Sequence, residues 1–170
     1  MAIATDLRIE PMTSDDWPAV REIYEAGMST GDATLDTEPP DHATWDRSHL
    51  ATGRLVARDR DDRVVGWIAL APVSDRCVYD GVAWESVYVA ADARGQGIGR
   101  GLLEAAIAAS EAADIWTLQA GVLAENAASL ALHEGCGFRR VGVREALGRD
   151  GSGRWRDVVL LERRSRVVGR

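Results

Sequence analysis

The sequence predicts a single α/β domain over residues 1–170, built on a mixed, mostly antiparallel sheet with helices on both faces. Three observations carry that expectation. A chain of 170 residues at 46% apolar content is the right size for one ordinary core. Its segments read, in order, as strand, two helices, three strands, helix, strand, helix and two strands, an antiparallel start followed by βαβ units. Finally, "ADARGQGIGRGLLEAAIAA", residues 91–109, sets four glycines between a strand and an alanine- and leucine-rich helix. That arrangement leaves free N–H groups at a helix N-terminus, where the dipole favours an anion.

Each element has a local reason. "LRIEPMT" alternates enough for an opening strand, and "TSDDWPAVREIYEAG" follows with a Thr13/Asp16 capping box, Pro18 in the first turn and Trp17, Val20, Ile23 and Tyr24 at helical spacing. The polar stretch "STGDATLDTEPPDHATWDRSHLA" becomes helical after Pro40 and ends at Gly53; its length suits a substrate lid or a plain surface excursion. "RLVARDRDDRVVGWIALAPV" reads as a hairpin around Asp59 to Arg63, and "VAWESVYVA" as a strand of period two. After the glycines, a helix of about a dozen residues starts at Arg100. "IWTLQAGVL" is a strand, "NAASLALHEGCG" a helix closed by Gly135 and Gly137, and "FRRVGVREAL" and "RWRDVVLLE" are the last strands. The tail "RRSRVVGR" reads as solvated or frayed, and Trp67 and Trp116 as core residues on strands.

Composition excludes several classes. No stretch approaches the ~18 apolar residues of a membrane span. The opening "MAIATDLRIEPMT" lacks a basic segment followed by an apolar one, so a cytoplasmic location is expected. A net charge of −7 argues against a nucleic-acid surface. Cys77 and Cys136 are too few and too far apart for a disulfide framework or a metal site, and read as buried reduced thiols; no metal is expected.

Three glycine-rich loops compete for residues 94–99. A Walker A loop requires a lysine that this stretch lacks, and a dinucleotide fingerprint requires a third glycine where Arg100 stands. The pattern [Q/R]-x-x-G-x-[G/A] fits throughout, as Arg94-Gly95-Gln96-Gly97-Ile98-Gly99. On this loop the chain resembles the GCN5-related N-acetyltransferase (GNAT) superfamily, whose members cradle the pyrophosphate of acetyl-CoA there. Glycines allow successive main-chain N–H groups to converge on one anion without side chains in the way.

Three further stretches narrow the resemblance to the phosphinothricin and methionine sulfoximine N-acetyltransferase branch, arsinothricin acetyltransferases included. "ENAASLALHEGCGF" resembles the second half of the acetyl-CoA site: Asn126 would hydrogen-bond the pantetheine or phosphate arm, with Ser129 nearby. His133 falls where the superfamily often carries a thiolate-protonating tyrosine. A helix N-cap for Asn126 and a structural histidine at 133 are the plainer alternatives. "WESVYV" resembles the branch's "E-x-S-V-Y-V", in which the main chain of Val87, Tyr88 and Val89 would contact the acetyl-CoA arm. The branch more often places its glutamate four residues before the tyrosine, where this chain has Trp84; Glu85 lies three before. Either a one-residue bulge restores the carboxylate or the base is displaced, because neighbouring strand residues face opposite ways. "GVREALGRDGSGRWRDVVLLERR" resembles the branch's close.

The resemblance implies direct transfer of acetyl from acetyl-CoA to the α-amino group of a glutamate-like toxic amino acid. Glu85 would take the ammonium proton, a backbone N–H near Tyr88 and Val89 would hold the acetyl oxygen, and His133 or Tyr88 would protonate the thiolate. Ser74, Asp75, Arg76, Trp84, Glu85 and Ser86 would form the acceptor pocket, with Arg76 on an anionic head. Arg94 to Arg100 would hold the pyrophosphate. A small-molecule amino donor is the expected partner, without nucleic acid or membrane, and a homodimer is implied by resemblance alone. Two alternatives stay open: another amine acceptor, or a non-catalytic acetyl-CoA-binding module should Glu85 point away from the cleft.

Overall fold

The computed structural model describes residues 7–170; Met1–Asp6, half of the opening stretch read for a signal, lie outside that range. Seven strands form one sheet: β1 (Arg8–Pro11), β2 (Leu55–Arg58), β3 (Val64–Pro72), β4 (Val82–Val89), β5 (Thr117–Leu123), β6 (Arg139–Arg149) and β7 (Trp155–Arg164). Their spatial order is β1-β2-β3-β4-β5-β7-β6. Among the described residues only the β4–β5 pair is parallel; every other neighbour is antiparallel. Among the described residues four α-helices complete the fold: α1 (Trp17–Ser29), α2 (His42–Ser48), α3 (Ile98–Ala112) and α4 (Ala127–Gly135).

The helices divide between the two faces as expected. On one face Val20, Ile23 and Tyr24 of α1 and Trp45 of α2 pack on Val56, Trp67 and Ala69. Across the sheet, Leu102, Leu103, Ala106 and Ile107 of α3 and Leu130 of α4 pack on Ile68, Leu70 and Leu118. The alternation of β3 sorts its side chains, Trp67 and Ala69 to the first core and Ile68 and Leu70 to the second. The capping box is present on the single 3-10 turn, Ser14–Asp16, that leads into α1, with the Thr13 N–H donating to the Asp16 carboxylate at 2.8 Å.

Several local expectations need correction. Helix α3 begins at Ile98, two residues before Arg100, because Gly97 sits in the left-handed region (φ 81°) and turns the chain into the helix. Helix α2 stops at Ser48, well short of Gly53: His49 is extended, and the Leu50 N–H has already joined the Leu70 carbonyl at 2.7 Å. The tail is not frayed at its start. Arg163 and Arg164 extend β7, and buried Ser165 donates its hydroxyl to Glu111 at 2.8 Å while its N–H reaches the Trp116 carbonyl. Trp67 is core, 1% exposed, but Trp116 is half-buried just ahead of β5, lying against Gly81 and Gly169. The cysteines are free but not buried: Cys77 is exposed in the β3–β4 connection and Cys136 half-buried beyond α4.

Candidate active site

The site begins where β4 leaves β5. The two strands pair only at Val82, Ala83 and Trp84, opposite Thr117, Leu118 and Gln119. Beyond Trp84 they diverge, while β4 stays in register with β3 as far as Val89. The backbone of Ser86 to Val89 on the β5 side is therefore released from the ladder, and a cleft of ≈ 440 Å³ opens there. Its walls include Val87, Tyr88, Val89 and Arg94 on one bank and Asn126, Ser129 and Leu132 of the α4 segment on the other.

The glycine loop forms the outer end of the first bank. Gly95 and Gly97 have φ of 75° and 81°, and a Cβ added at either would meet nothing within 4 Å. The first bond inside α3 runs from the Gly101 N–H to the Gly97 carbonyl at 3.0 Å, so the amides of Ile98, Gly99 and Arg100 have no acceptor within the helix. The Ile98 side chain is buried in the core, which leaves only its main chain for a ligand. Arg94 lines the cleft with Nε 3.3 Å from the Val89 carbonyl. Arg100 is paired with Glu104 at 2.8 Å, and Gln96 reaches toward the Asp92 carbonyl, away from the cleft.

On the opposite bank Asn126 caps α4, its carbonyl oxygen accepting the Ser129 N–H at 3.0 Å while its amide donates to the Asp32 carbonyl at 3.0 Å. The loop after α1 is thereby drawn over the cleft, and buried Arg156 of β7 fixes it further. Its guanidinium donates to the Gly31 carbonyl at 2.7 Å, Asp32 at 2.9 Å, Glu125 at 3.1 Å and Asp150 at 3.1 Å. No sequence motif pointed to Arg156; its parity with inward-facing Val158 on β7 was the available signal.

At the head of the split lies a buried acid–imidazole pair. His133 Nε2 and Glu85 Oε1 are 2.6 Å apart, with both side chains 2% exposed. His133 Nδ1 stands 2.7 Å from the Ser129 carbonyl, which can only accept, so Nδ1 carries a hydrogen. The Nε2–Oε1 contact therefore needs a proton of its own, and the pair shares one. Burial opposes charge on His133, yet the hydrogen bond and charge of Glu85, with the Ser129 carbonyl, hold its pKa above the ordinary value. Glu85 Oε2 is buried without a partner. A small cavity, ≈ 60 Å³, is lined by Glu85, His133, Ser86 and Gly121 and shares Val87, Tyr88, Asn126 and Ser129 with the cleft.

Strand β4 has no bulge against β3: Leu70 faces Glu85 and Ala71 faces Trp84 in continuous register. Glu85 thus turns toward α4, and Trp84, Ser86 and Tyr88 turn toward α1. Tyr88 stacks on Trp67 at 4.9 Å and meets Tyr24 edge-on at 4.9 Å. Burial pushes its hydroxyl pKa well up, so the phenol stays protonated. Ser74, Asp75 and Arg76 lie in the β3–β4 connection and line neither the cleft nor its small cavity; Arg76 lies over the Tyr79 ring at 5.4 Å. Trp84 likewise stays outside both. The structure thus brings together Glu85, Ser86, Val87, Tyr88, Asn126, Ser129 and His133, and leaves the Arg76 loop apart.

A split sheet, a glycine cradle at a helix N-terminus and a capped helix on the facing bank define an acetyl-CoA-binding acyltransferase. The acetyltransferase (GNAT) family model matches residues 17–138, and the chain belongs to that family. It is 38% identical to a phosphinothricin N-acetyltransferase of Alcaligenes faecalis, covering 91% of this chain and 81% of that one. It is 30% identical to an L-methionine sulfoximine/L-methionine sulfone acetyltransferase of Pseudomonas paraeruginosa, covering 86% and 88%. The crystal structure of a phosphinothricin acetyltransferase from Sinorhizobium meliloti with acetyl-CoA superposes with a TM-score of 0.85 at 27% identity, covering 94% and 89%. The chain is an N-acetyltransferase with acetyl-CoA as co-substrate, and the open cradle fits that ligand. Among the described residues no helix is long and apolar enough to cross a membrane.

Proposed function

We propose that the protein transfers acetyl from acetyl-CoA to the α-amino group of a small amino acid of the phosphinothricin, methionine sulfoximine or arsinothricin type. The carrying observation is the split between β4 and β5, with the glycine cradle at one end and the Glu85–His133 pair at the other. The names of the relatives from Alcaligenes and Pseudomonas support the acceptor class.

In this reading the main chain of residues 95–100 receives the pyrophosphate, Asn126 and Ser129 border the pantetheine arm, and freed N–H groups near Tyr88 and Val89 face the acetyl oxygen. The amine nitrogen bonds to the acetyl carbon as the carbon–sulfur bond breaks. The ammonium's proton passes to the Glu85–His133 pair, and the thiolate takes a proton from that pair or from the Tyr88 hydroxyl. No covalent enzyme intermediate is involved, so Cys77 and Cys136 have no part. A cytoplasmic homodimer is the state expected from resemblance, and sedimentation tests the dimer.

The test is release of free CoA, followed with a thiol reagent, against L-phosphinothricin, L-methionine sulfoximine, arsinothricin, glutamate, spermidine and an aminoglycoside, with a no-amine control for the two cysteines. Turnover confined to the glutamate mimics is the expected result. Turnover of spermidine or the aminoglycoside alone overturns the acceptor class, and acetyl-CoA binding with silence across the panel overturns the transfer reading.

A further inference from the structure

The cleft is bordered by charge of the wrong sign for a phosphate-bearing ligand. Asp32, on the loop drawn over it, and Glu125, just ahead of α4, both line it, with side chains 59% and 50% exposed. Among the described residues Arg94 is the one cation lining it. Two bare carboxylates there would repel the phosphates of acetyl-CoA, more strongly at a protein surface than in free water. Behind them stands Arg156, 2% exposed, whose Nη2 donates to both, at 2.9 Å to Asp32 and 3.1 Å to Glu125. Its Nη1 holds the Gly31 carbonyl at 2.7 Å and Asp150 at 3.1 Å. Arg154 adds a second cation, 3.8 Å from Glu125 and 3.5 Å from Asp150. Asp150 does not line the cleft, and it takes further bonds from Ser152 and the Arg154 N–H.

We infer that Arg156 is a positioning residue that admits acetyl-CoA by masking charge: from behind the wall it neutralises Asp32 and Glu125 and draws their oxygens back toward β7. The inference rests on the placement of acetyl-CoA proposed above, which it deepens, and is independent of the acceptor. At 2% exposure Arg156 is out of a ligand's reach, so whatever it does for the coenzyme passes through the two carboxylates. Arg94, which lines the cleft, differs in this respect. A guanidinium keeps its charge at any working pH, so the mask is permanent. Tethering alone does not account for the arrangement. The loop is already held by the Asn126 amide on the Asp32 carbonyl at 3.0 Å, and Glu125, next to the cap of α4, is not part of that loop.

The experiment measures binding by isothermal titration calorimetry, at low and high salt, of acetyl-CoA and of S-acetylpantetheine, which has the same acyl arm without phosphates. Relative to the wild type, Arg156→Met is expected to weaken acetyl-CoA by about tenfold at low salt and severalfold less at high salt, with S-acetylpantetheine changed by less than about twofold. Arg156→Lys, which keeps the charge, is expected to restore most of the affinity. Equal losses for both ligands, or a loss that salt does not move, assign Arg156 to tethering alone and overturn the inference. The double variant Asp32→Asn/Glu125→Gln removes the masked charges, keeps groups that can accept from Arg156, and leaves the buried arginine in place should Arg156→Met fail to fold. It is expected to tighten acetyl-CoA by about twofold to threefold; equal or weaker binding overturns the inference. A wild type that binds the two ligands equally well overturns the placement of the phosphates at the glycine loop, and the mask falls with it. A wild type that prefers acetyl-CoA, with variants that treat the two ligands alike, keeps the placement and overturns the mask.

Discussion

The two faces of β4 differ in what they hold, although they are built from alternate residues of one strand. The face toward α4 carries Glu85, shut away with His133 and sharing a proton with it. The face toward α1 carries Ser86 and Tyr88, which open onto a hollow rimmed by the exposed carboxylates of Asp36 and Glu38. A buried carboxylate in contact with an imidazole can store or pass a proton; exposed carboxylates at a rim can only attract or repel what arrives. The period of a strand thus separates a buried pair that shares a proton from an open rim of exposed carboxylates by a single residue.

That contrast can be broken most sharply at Glu85. Glu85→Gln keeps the shape but removes the shared acid, and kcat is expected to fall by about 10²–10⁴, with KM for acetyl-CoA little changed and the melting temperature showing that the fold survives. The next largest effect belongs to Arg156, whose loss leaves Asp32, Glu125 and Asp150 together without their common cation and releases the loop over the cleft. Arg156→Met is expected to raise KM for acetyl-CoA by about tenfold, with kcat less affected, measured by steady-state kinetics.

A pH series sharpens the comparison further. The folded pKa of His133 lies above its ordinary 6.5, so the pair's contribution to stability is fully present below about pH 6.5 and is lost as pH rises through the raised folded value. The melting-temperature gap between wild type and His133→Asn should therefore be widest in mild acid and narrow toward alkaline pH. Asp36→Asn, on the open face, should show no such narrowing. The smallest effect is at the cap: Asn126→Ala should cost about 1 kcal/mol in denaturant unfolding, because one helix N-terminal N–H loses its acceptor.

Much of this was legible in the chain. The order of the seven strands and four helices follows from local periodicity and turn residues, and the glycine cradle, Tyr88, Asn126, Ser129 and His133 stand in short motifs whose members lie close together in sequence. Helix ends were less legible, since His49 ends α2 through a bond from the next residue to Leu70, a partner that periodicity cannot see. The same holds for Ser165, ordered by Glu111 from α3. The Arg156 clamp and the hollow at Ser86 and Tyr88 were missed for one reason: each gathers residues from segments far apart, Gly31 with Asp150 in one case and Tyr24 with Ser86 in the other. For Glu85 the sequence posed the question of a bulge, and the unbroken β3–β4 register shows that there is none against β3.

The glycine cradle carries one more consequence, a matter of handedness. At Gly97 the backbone is left-handed, yet nothing stands within 4 Å of where an L side chain would begin. L-alanine there is opposed by chirality and not by neighbours, whereas D-alanine, the mirror-image residue, is at home at that φ. A protein assembled by chemical ligation with D-alanine at position 97 is expected to melt above its L-alanine counterpart, and the gap between the two would measure the cost of handedness at this turn.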